Sequence, residues 1–353
     1  MNENMKKSDS IIQLKHINKD FKILNRHEGL KGSFQDLFSR DYKIVKAVND
    51  VSLDITQGEI VGYLGPNGAG KSTTIKMMTG VLEPTSGEIL VNGRVPYQNR
   101  EANANNIGVV FGQRSQLWWS LPLIESFKIL KDIYRIPDKD YKDMLELYAT
   151  MIDLEALYGK PVRQMSLGQR TLSDILAAFL HNPSVVFLDE PTIGLDVSMK
   201  AKIRTLISEL NSRKNTTVIL TTHDMGDVDA LCKRIVIIDK GTMLYDNDIE
   251  HLRRFFGAYR TLKINLNKRG AVPSDDEKKK QPENVQKVLS KQFKAVDFSI
   301  EPDEEWVSIL IDESQIPLMK VLSFLQEQMK IYDVRVEEIS TESVIKKIYE
   351  GRG

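Results

Sequence analysis

Cysteine is almost absent from this chain: Cys232 stands alone among 353 residues, so no internal disulfide framework can hold the fold together. Charge imbalance is absent as well. Lys plus Arg and Asp plus Glu both number 49, and a chain without net charge carries no global field to draw it onto nucleic acid. The opening MNENMKKSDS has none of the apolar core of a secretion signal, which together with the single thiol reads as a protein of the reducing cytosol. Long apolar runs are missing too. Ile175 to Leu188, the longest largely apolar stretch free of acidic and basic residues, contains His181, Asn182 and Pro183 and falls short of the roughly 20 residues that a membrane-spanning helix needs. No internal repeat and no heptad run is visible. The length suits two domains of roughly 100 to 200 residues each.

The order of elements supports an α/β class for the first and longer part. Ile11 to Phe21 and Lys43 to Ile55 are strand-forming segments, separated by an insert over 22–42 whose Leu30, Phe34, Leu37 and Phe38 have the spacing of a short amphipathic helix. A strand Glu59 to Leu64, a glycine-rich loop and a helix from about Ser72 to Thr79 follow, then a turn at Pro84 to Gly87 and a strand Glu88 to Val91. Residues Leu121 to Leu157 are helix-compatible and lie between two β-rich portions, as an inserted helical subdomain over about 114–170 would. Ser184 to Leu188, Thr217 to Thr221 and Arg234 to Ile238 are short apolar or β-branched runs that read as buried parallel strands. From Tyr259 the pattern changes to βαββαβ, with strands 261–266, 295–300, 306–311 and 332–339 and helices 284–292 and 316–329. That order resembles a ferredoxin-like α+β domain. Lys268 to Glu283, with three consecutive lysines and a cluster of acids, reads as a solvated loop inside it. The expected domains are therefore 1–258 and 259–353.

The loop GPNGAGKST fits Gly-x4-Gly-Lys-Ser/Thr and lies between a strand and a helix, the context which that motif requires. Gly65, Gly68 and Gly70 let the backbone of Gly65, Pro66, Asn67, Gly68, Ala69 and Gly70 curl until its N–H groups converge on phosphate oxygens. The N-terminus of the next helix adds its positive dipole. Lys71 is placed to bridge β and γ phosphates, and Ser72, followed by Thr73, to ligate magnesium. Downstream, VVFLDE is a buried strand that presents two carboxylates at its end: Asp189 for the metal and Glu190 for the attacking water.

MSLGQR, Met165 to Arg170, opens a helical stretch with Ser and Gly at its start, which makes a second anion-binding helix N-terminus. Here the chain resembles the ABC ATPase family, whose signature is LSGGQ, through Ser166, Gly168, Gln169 and Arg170. Leu167 replaces the first glycine, and Thr171, Leu172 and Ala177 stand where the family commonly has Gln, Arg and Arg. The resemblance covers about Ile11 to Glu250 and implies a P-loop NTPase of ABC type, with a β-subdomain, a RecA-like core and a helical subdomain. It also implies ATP and Mg2+ as cofactors and a head-to-tail dimer in which Ser166, Gly168 and Gln169 face the γ-phosphate held by the other ATPase subunit. Gln113 matches the Q-loop, where its amide reaches magnesium or water. Asp196 in GLD matches the D-loop at the dimer interface, and His223 matches the switch histidine that grips the γ-phosphate.

For the aromatic that stacks on adenine the chain offers two candidates. Phe21, at the end of the first strand, is preferred; Tyr42 has the better spacing to Val51. One cassette without a membrane span, together with a further C-terminal domain, is similar to the detached ATPase subunits of type-2 exporters. This implies integral-membrane permease partners, no nucleic acid, and a place at the cytoplasmic face of the membrane. Trp118, Trp119, Leu121 and Pro122 follow Gln113 directly, where the family contacts its permease, and large aromatics make good interface anchors. Soluble relatives that act on ribosomes or DNA carry twin cassettes or a long coiled coil, which are not seen here.

Overall fold

The two β-rich segments at the start of the chain pair with each other. Strand β1 (Ser10–Leu24) runs antiparallel to β2 (Tyr42–Thr56) and pairs on its other side with β4 (Ser86–Val91), giving a three-stranded sheet in the order β2-β1-β4. In the computed structural model, residues 10–24, 42–112, 115–255, 259–267, 274–294, 296, 298–338 and 348 are described. The insert's Leu30, Phe34, Leu37 and Phe38 lie outside them, as does Gln113. The chain divides into two units, Met1–Asp248 and Ile249–Gly353.

The first unit is built on a six-stranded sheet. After β3 (Ile60–Leu64) come helix α1 (Lys71–Met78), then β4, α2 (Arg100–Ala104) and β5 (Ile107–Phe111). Helices α3 (Leu123–Ile133), α4 (Asp138–Met151), α5 (Glu155–Tyr158) and α6 (Leu167–Phe179) follow without a strand between them. The chain then returns to the sheet with β6 (Val185–Asp189), α7 (Val197–Lys214), β7 (Thr217–Thr221), α8 (Met225–Leu231), β8 (Arg234–Asp239) and β9 (Thr242–Asp248). The strand order is β5-β6-β7-β3-β8-β9. The first five strands are parallel and β9 is antiparallel to β8.

Central strands of such a sheet are covered on both faces, and this explains their unbroken apolar runs. In β6, Val185 to Leu188 are buried without alternation, and all of β7 is buried. Ile12 and Leu14 of β1, Tyr63 of β3, and Ile75 and Met77 of α1 belong to one continuous core. The first sheet and the parallel sheet therefore enclose the phosphate loop between them. Among the described residues no helix is long and apolar enough to cross a membrane.

The second unit contains α9 (Ile249–Phe255), β10 (Tyr259–Asn265), α10 (Asp275–Gln292), β11 (Ser299–Asp303), β12 (Trp306–Asp312), α11 (Leu318–Gln328) and β13 (Asp333–Glu338). Its sheet is antiparallel in the order β11-β12-β10-β13, the split βαβ arrangement. Leu262 and Ile264 of β10, Val285 and Leu289 of α10, and Val321 and Leu325 of α11 form its separate core.

Three expectations change. The unit boundary falls after Asp248 rather than at 258, so that the helix Ile249–Phe255 groups with the second unit. The strands around the insert reach further, to Leu24 and from Tyr42. Part of the charged run over 268–283 is helix: α10 starts at Asp275 and carries Pro282 in its interior. Only its later turns bury apolar side chains, so the earlier ones have the composition of a loop.

Candidate functional site

The carboxyl ends of β3, β6 and β7 lie side by side, since β7 stands between the other two. The register aligns Phe111, Asp189 and Thr221 across β5, β6 and β7. Whatever follows these residues therefore leaves the sheet at one level, where ligands bind in open parallel sheets. Gly112, Glu190 and Thr222 follow.

After β3 the glycine loop turns back on itself. Gly68 and Gly70 have φ of +82° and +106°; at Gly70 a β-carbon would also come within 2.4 Å of the Ala47 carbonyl oxygen, so the curl requires glycine there. Lys71 is 7% exposed, and its Nζ donates to the carbonyl oxygens of Gly65 at 2.5 Å and Pro66 at 3.1 Å. Burial lowers its pKa, while Glu190 and then Asp189 act in the opposite direction. Ala47, Asn67, Gly68, Ala69, Gly70, Lys71, Ser72, Thr73, Gly112, Asp189 and Glu190 line a cavity of about 350 Å³. Larger cavities of about 720 and 1230 Å³ contain none of the phosphate loop or strand-end acids.

Asp189 accepts a hydrogen bond from the Thr221 hydroxyl through Oδ1 at 2.5 Å, which fixes the carboxylate at the strand end. Ser72 and Asp189 share the cavity and offer hard oxygen donors, the set that suits a small divalent cation. Among the described residues no three His, Cys, Asp or Glu side chains are grouped to hold a metal on their own. A cation here needs phosphate oxygens as further ligands.

Glu190 takes a left-handed backbone, φ +53°, and its N–H donates to the Thr221 carbonyl at 2.9 Å. Its Oε1 lies 2.8 Å from Nε2 of His223. Beyond it a second cavity of about 360 Å³ is lined by Glu190, Thr192, Ile193, Gly194, Lys200, Thr222, His223 and Asp224. Glu190 is the residue common to both cavities, with a phosphate cradle on one side and the histidine on the other.

The remaining candidates do not line the phosphate cavity. Ser166 caps α6: its Oγ accepts from the Gln169 N–H at 3.2 Å, and Gln169 Oε1 accepts from the Ser166 N–H at 3.2 Å and from Lys160 Nζ at 2.8 Å. The Gln169 oxygen is thus engaged within its own helix start. Gly168 lies so close to α7 that a β-carbon would meet Met199 Cγ at 2.5 Å. Asp196 caps α7 by accepting from the Met199 N–H at 3.0 Å. Neither Ser166, Gly168 nor Asp196 lines the phosphate cavity. Phe21 is paired with Val45, and Tyr42 with Leu24, on the β1–β2 ribbon; both are outside the lining as well. Sequence reasoning did not single out Thr221, Thr192, Thr222 or Asp227, which bond the strand-end loops together. Their side chains carry no spacing signal.

This site defines a P-loop ATPase. The profile of the ABC transporter family matches residues 48–193. The ABC transporter ATP-binding protein NatA of Bacillus subtilis is 34% identical over 215 residues, covering 61% of this chain and 87% of that protein. ABC transporter A family member 1 of Dictyostelium discoideum is 32% identical over 246 residues, 70% of this chain; the chain spans only 28% of that protein. Among solved structures, a dimeric ATP-binding cassette in a post-hydrolysis state with ADP and phosphate is 26% identical with a TM-score of 0.54, covering 67% of this chain and 98% of the other. The chain belongs to the ABC transporter family, as an ATP-binding, ATP-hydrolysing cassette.

Proposed function

We propose that this chain is the ATPase subunit of a type-2 ABC exporter, powering transport through separate integral-membrane permease chains from the cytoplasmic face of the membrane. The observation that carries this reading is the Glu190–His223 pair, set at 2.8 Å beside a phosphate loop whose cavity the chain's own Ser166 and Gly168 do not line. A helix N-terminus with an exposed serine, outside its own phosphate cavity, supports a dimer in which each copy completes the other's site. Leu167 is 46% exposed and Val197 84%, and the Leu167 side chain lies beside Gly194. Those apolar groups suit burial against a second cassette.

In this mechanism the loop amides and Lys71 hold the β and γ phosphates. Ser72 and Asp189, with Gln113, would hold Mg2+, and the cation would supply positive charge against the phosphate oxygens. Glu190 orients the water and takes its proton, and His223 keeps Glu190 and the γ-phosphate in place. Phe21 or Tyr42 stacks on adenine. Trp118 and Trp119 are 37% and 53% exposed, and the Arg170 guanidinium covers the Trp119 ring at 4.7 Å. A permease contact at Trp119 would therefore bear on the signature helix directly.

The test is Glu190→Gln. Hydrolysis should fall by at least about a hundredfold, the scale of losing a general base, while ATP induces a stable dimer in size-exclusion chromatography with light scattering. Wild-type turnover in that variant would remove Glu190 from the role.

A further inference from the structure

Behind the Glu190–His223 pair lies a carboxylate that the mechanism above does not use. Asp227, on α8, is fully buried. Its Oδ2 accepts from the Thr192 hydroxyl at 2.5 Å and the Thr222 hydroxyl at 2.8 Å, and its Oδ1 accepts from Arg204 Nε at 2.6 Å. Thr192 lies two residues after Glu190, Thr222 directly before His223, and Arg204 on the helix that Asp196 caps. One buried side chain thus ties together the loop that carries Glu190, the loop that carries His223, and α7.

The other flank of His223 is tied to the same helix. Asp224 accepts from Lys200 Nζ at 2.5 Å and from Arg204 Nη2 at 3.3 Å, and its N–H donates to the Thr222 hydroxyl at 3.0 Å. Lys200 and Arg204 are one helical turn apart on α7. For packing alone an apolar side chain could replace a buried ion pair. What a carboxylate adds is the capacity to accept hydroxyls from two different loops at one oxygen. The left-handed backbone of Glu190 needs such surroundings, since a strained residue persists only where its neighbours over-determine it.

We propose that Asp227 is a positioning residue that sets the Glu190–His223 geometry and transmits to it the seating of segment 192–196 at the start of α7. The inference rests on the reading of Glu190 and His223 as the hydrolytic pair. Its experiment is steady-state ATP hydrolysis by the full-length chain, with kcat and KM for MgATP measured separately. Asp227→Asn should lower kcat on the order of tenfold, below the roughly hundredfold loss for a reacting group displaced by 1 Å, and leave KM within about twofold. Thr192→Val and Thr222→Val, which each remove one donor and leave the carboxylate, should give smaller falls in kcat. Thr222→Ser, which keeps the hydroxyl, should restore it. In a His223→Ala background Asp227→Asn should add little, because the pair is already broken.

A folded Asp227→Asn protein with wild-type kcat overturns the proposal, as does a loss that is undiminished in the His223→Ala background. Should Asp227→Asn fail to fold, the two valine variants decide: wild-type kcat in both overturns the proposal. Wild-type turnover in Glu190→Gln would instead remove the reading beneath it, whatever Asp227 does.

Discussion

Lys71 shows at the scale of one residue how site and fold pull apart. Its ammonium is buried against two loop carbonyls, and burial disfavours the charged form. Lys71→Met keeps the volume and removes the buried charge. We expect stability in urea to be unchanged or higher, while the Kd for ATP rises by at least about tenfold, the equivalent of one charge-assisted hydrogen bond of about 1.5 kcal/mol. Calorimetric titration with ATP and an equilibrium urea melt check the two halves. Lys71 and Ser72 were singled out in the sequence by the glycine loop before them, and Asp189, Glu190 and His223 by the apolar runs that they end or follow. Asp227 and Arg204 were not. Their meaning depends on α7 and α8 lying against each other, and no spacing along the chain encodes that.

Helix α6 carries the signature at its start and an unusual carboxylate further along. Asp174 accepts from the Ser115 hydroxyl at 2.8 Å and the Gln116 N–H at 3.1 Å, yet burial raises its pKa from 3.8 to about 6. Just beyond the helix, His181 stacks on Tyr134 at 3.9 Å, and burial lowers its pKa from 6.5 to about 4. The two act on stability in opposite directions. The Asp174 contribution is present below pH 3.8 and is lost as pH rises through about 6. The His181 contribution is present above pH 6.5 and is lost as pH falls through about 4. They offset each other across the same window. Asp174→Asn should therefore gain stability over the wild type above pH 6, by at most roughly 3 kcal/mol. It should then lose stability on acidification, while the wild type stays nearly flat; urea midpoints between pH 4 and 8 check this. The structure adds a capping box between Ser166 and Gln169. Helix α10 was read only from Asn284 onward, because its Lys-rich and acid-rich first turns have little to bury and look like solvated loop, whereas Val285 and Leu289 carry the apolar spacing that packs on the sheet. Strand β9 was missed for a related reason: its residues are half-buried or exposed without a clear alternation.

Among the described residues each unit has a hydrophobic core of its own. Every described residue that lines the phosphate cavity belongs to the first unit. Truncation after Asp248 should therefore leave ATP affinity within about threefold of the full chain, which titration with ATP measures; a larger loss would make the second unit part of nucleotide binding. The same variant separates two roles for the βαββαβ unit. Loss of the ATP-induced dimer identifies a clamp, and a raised basal rate identifies a regulator. The change in element order near Tyr259 pointed to two units, and the structure divides after Asp248 because helix α9, Ile249–Phe255, groups with the second.

Strands β5, β6 and β7 are five residues each, and Phe111, Asp189 and Thr221 share one row. A single residue inserted within β6 would turn its side chains to the opposite faces and carry Asp189 and Glu190 out of line with Thr221. The chain can absorb length between its strands, as the segment between Leu24 and Tyr42 shows. Length within these strands is fixed, and insertion scanning should find tolerance and intolerance alternating along the chain with the period of the fold itself.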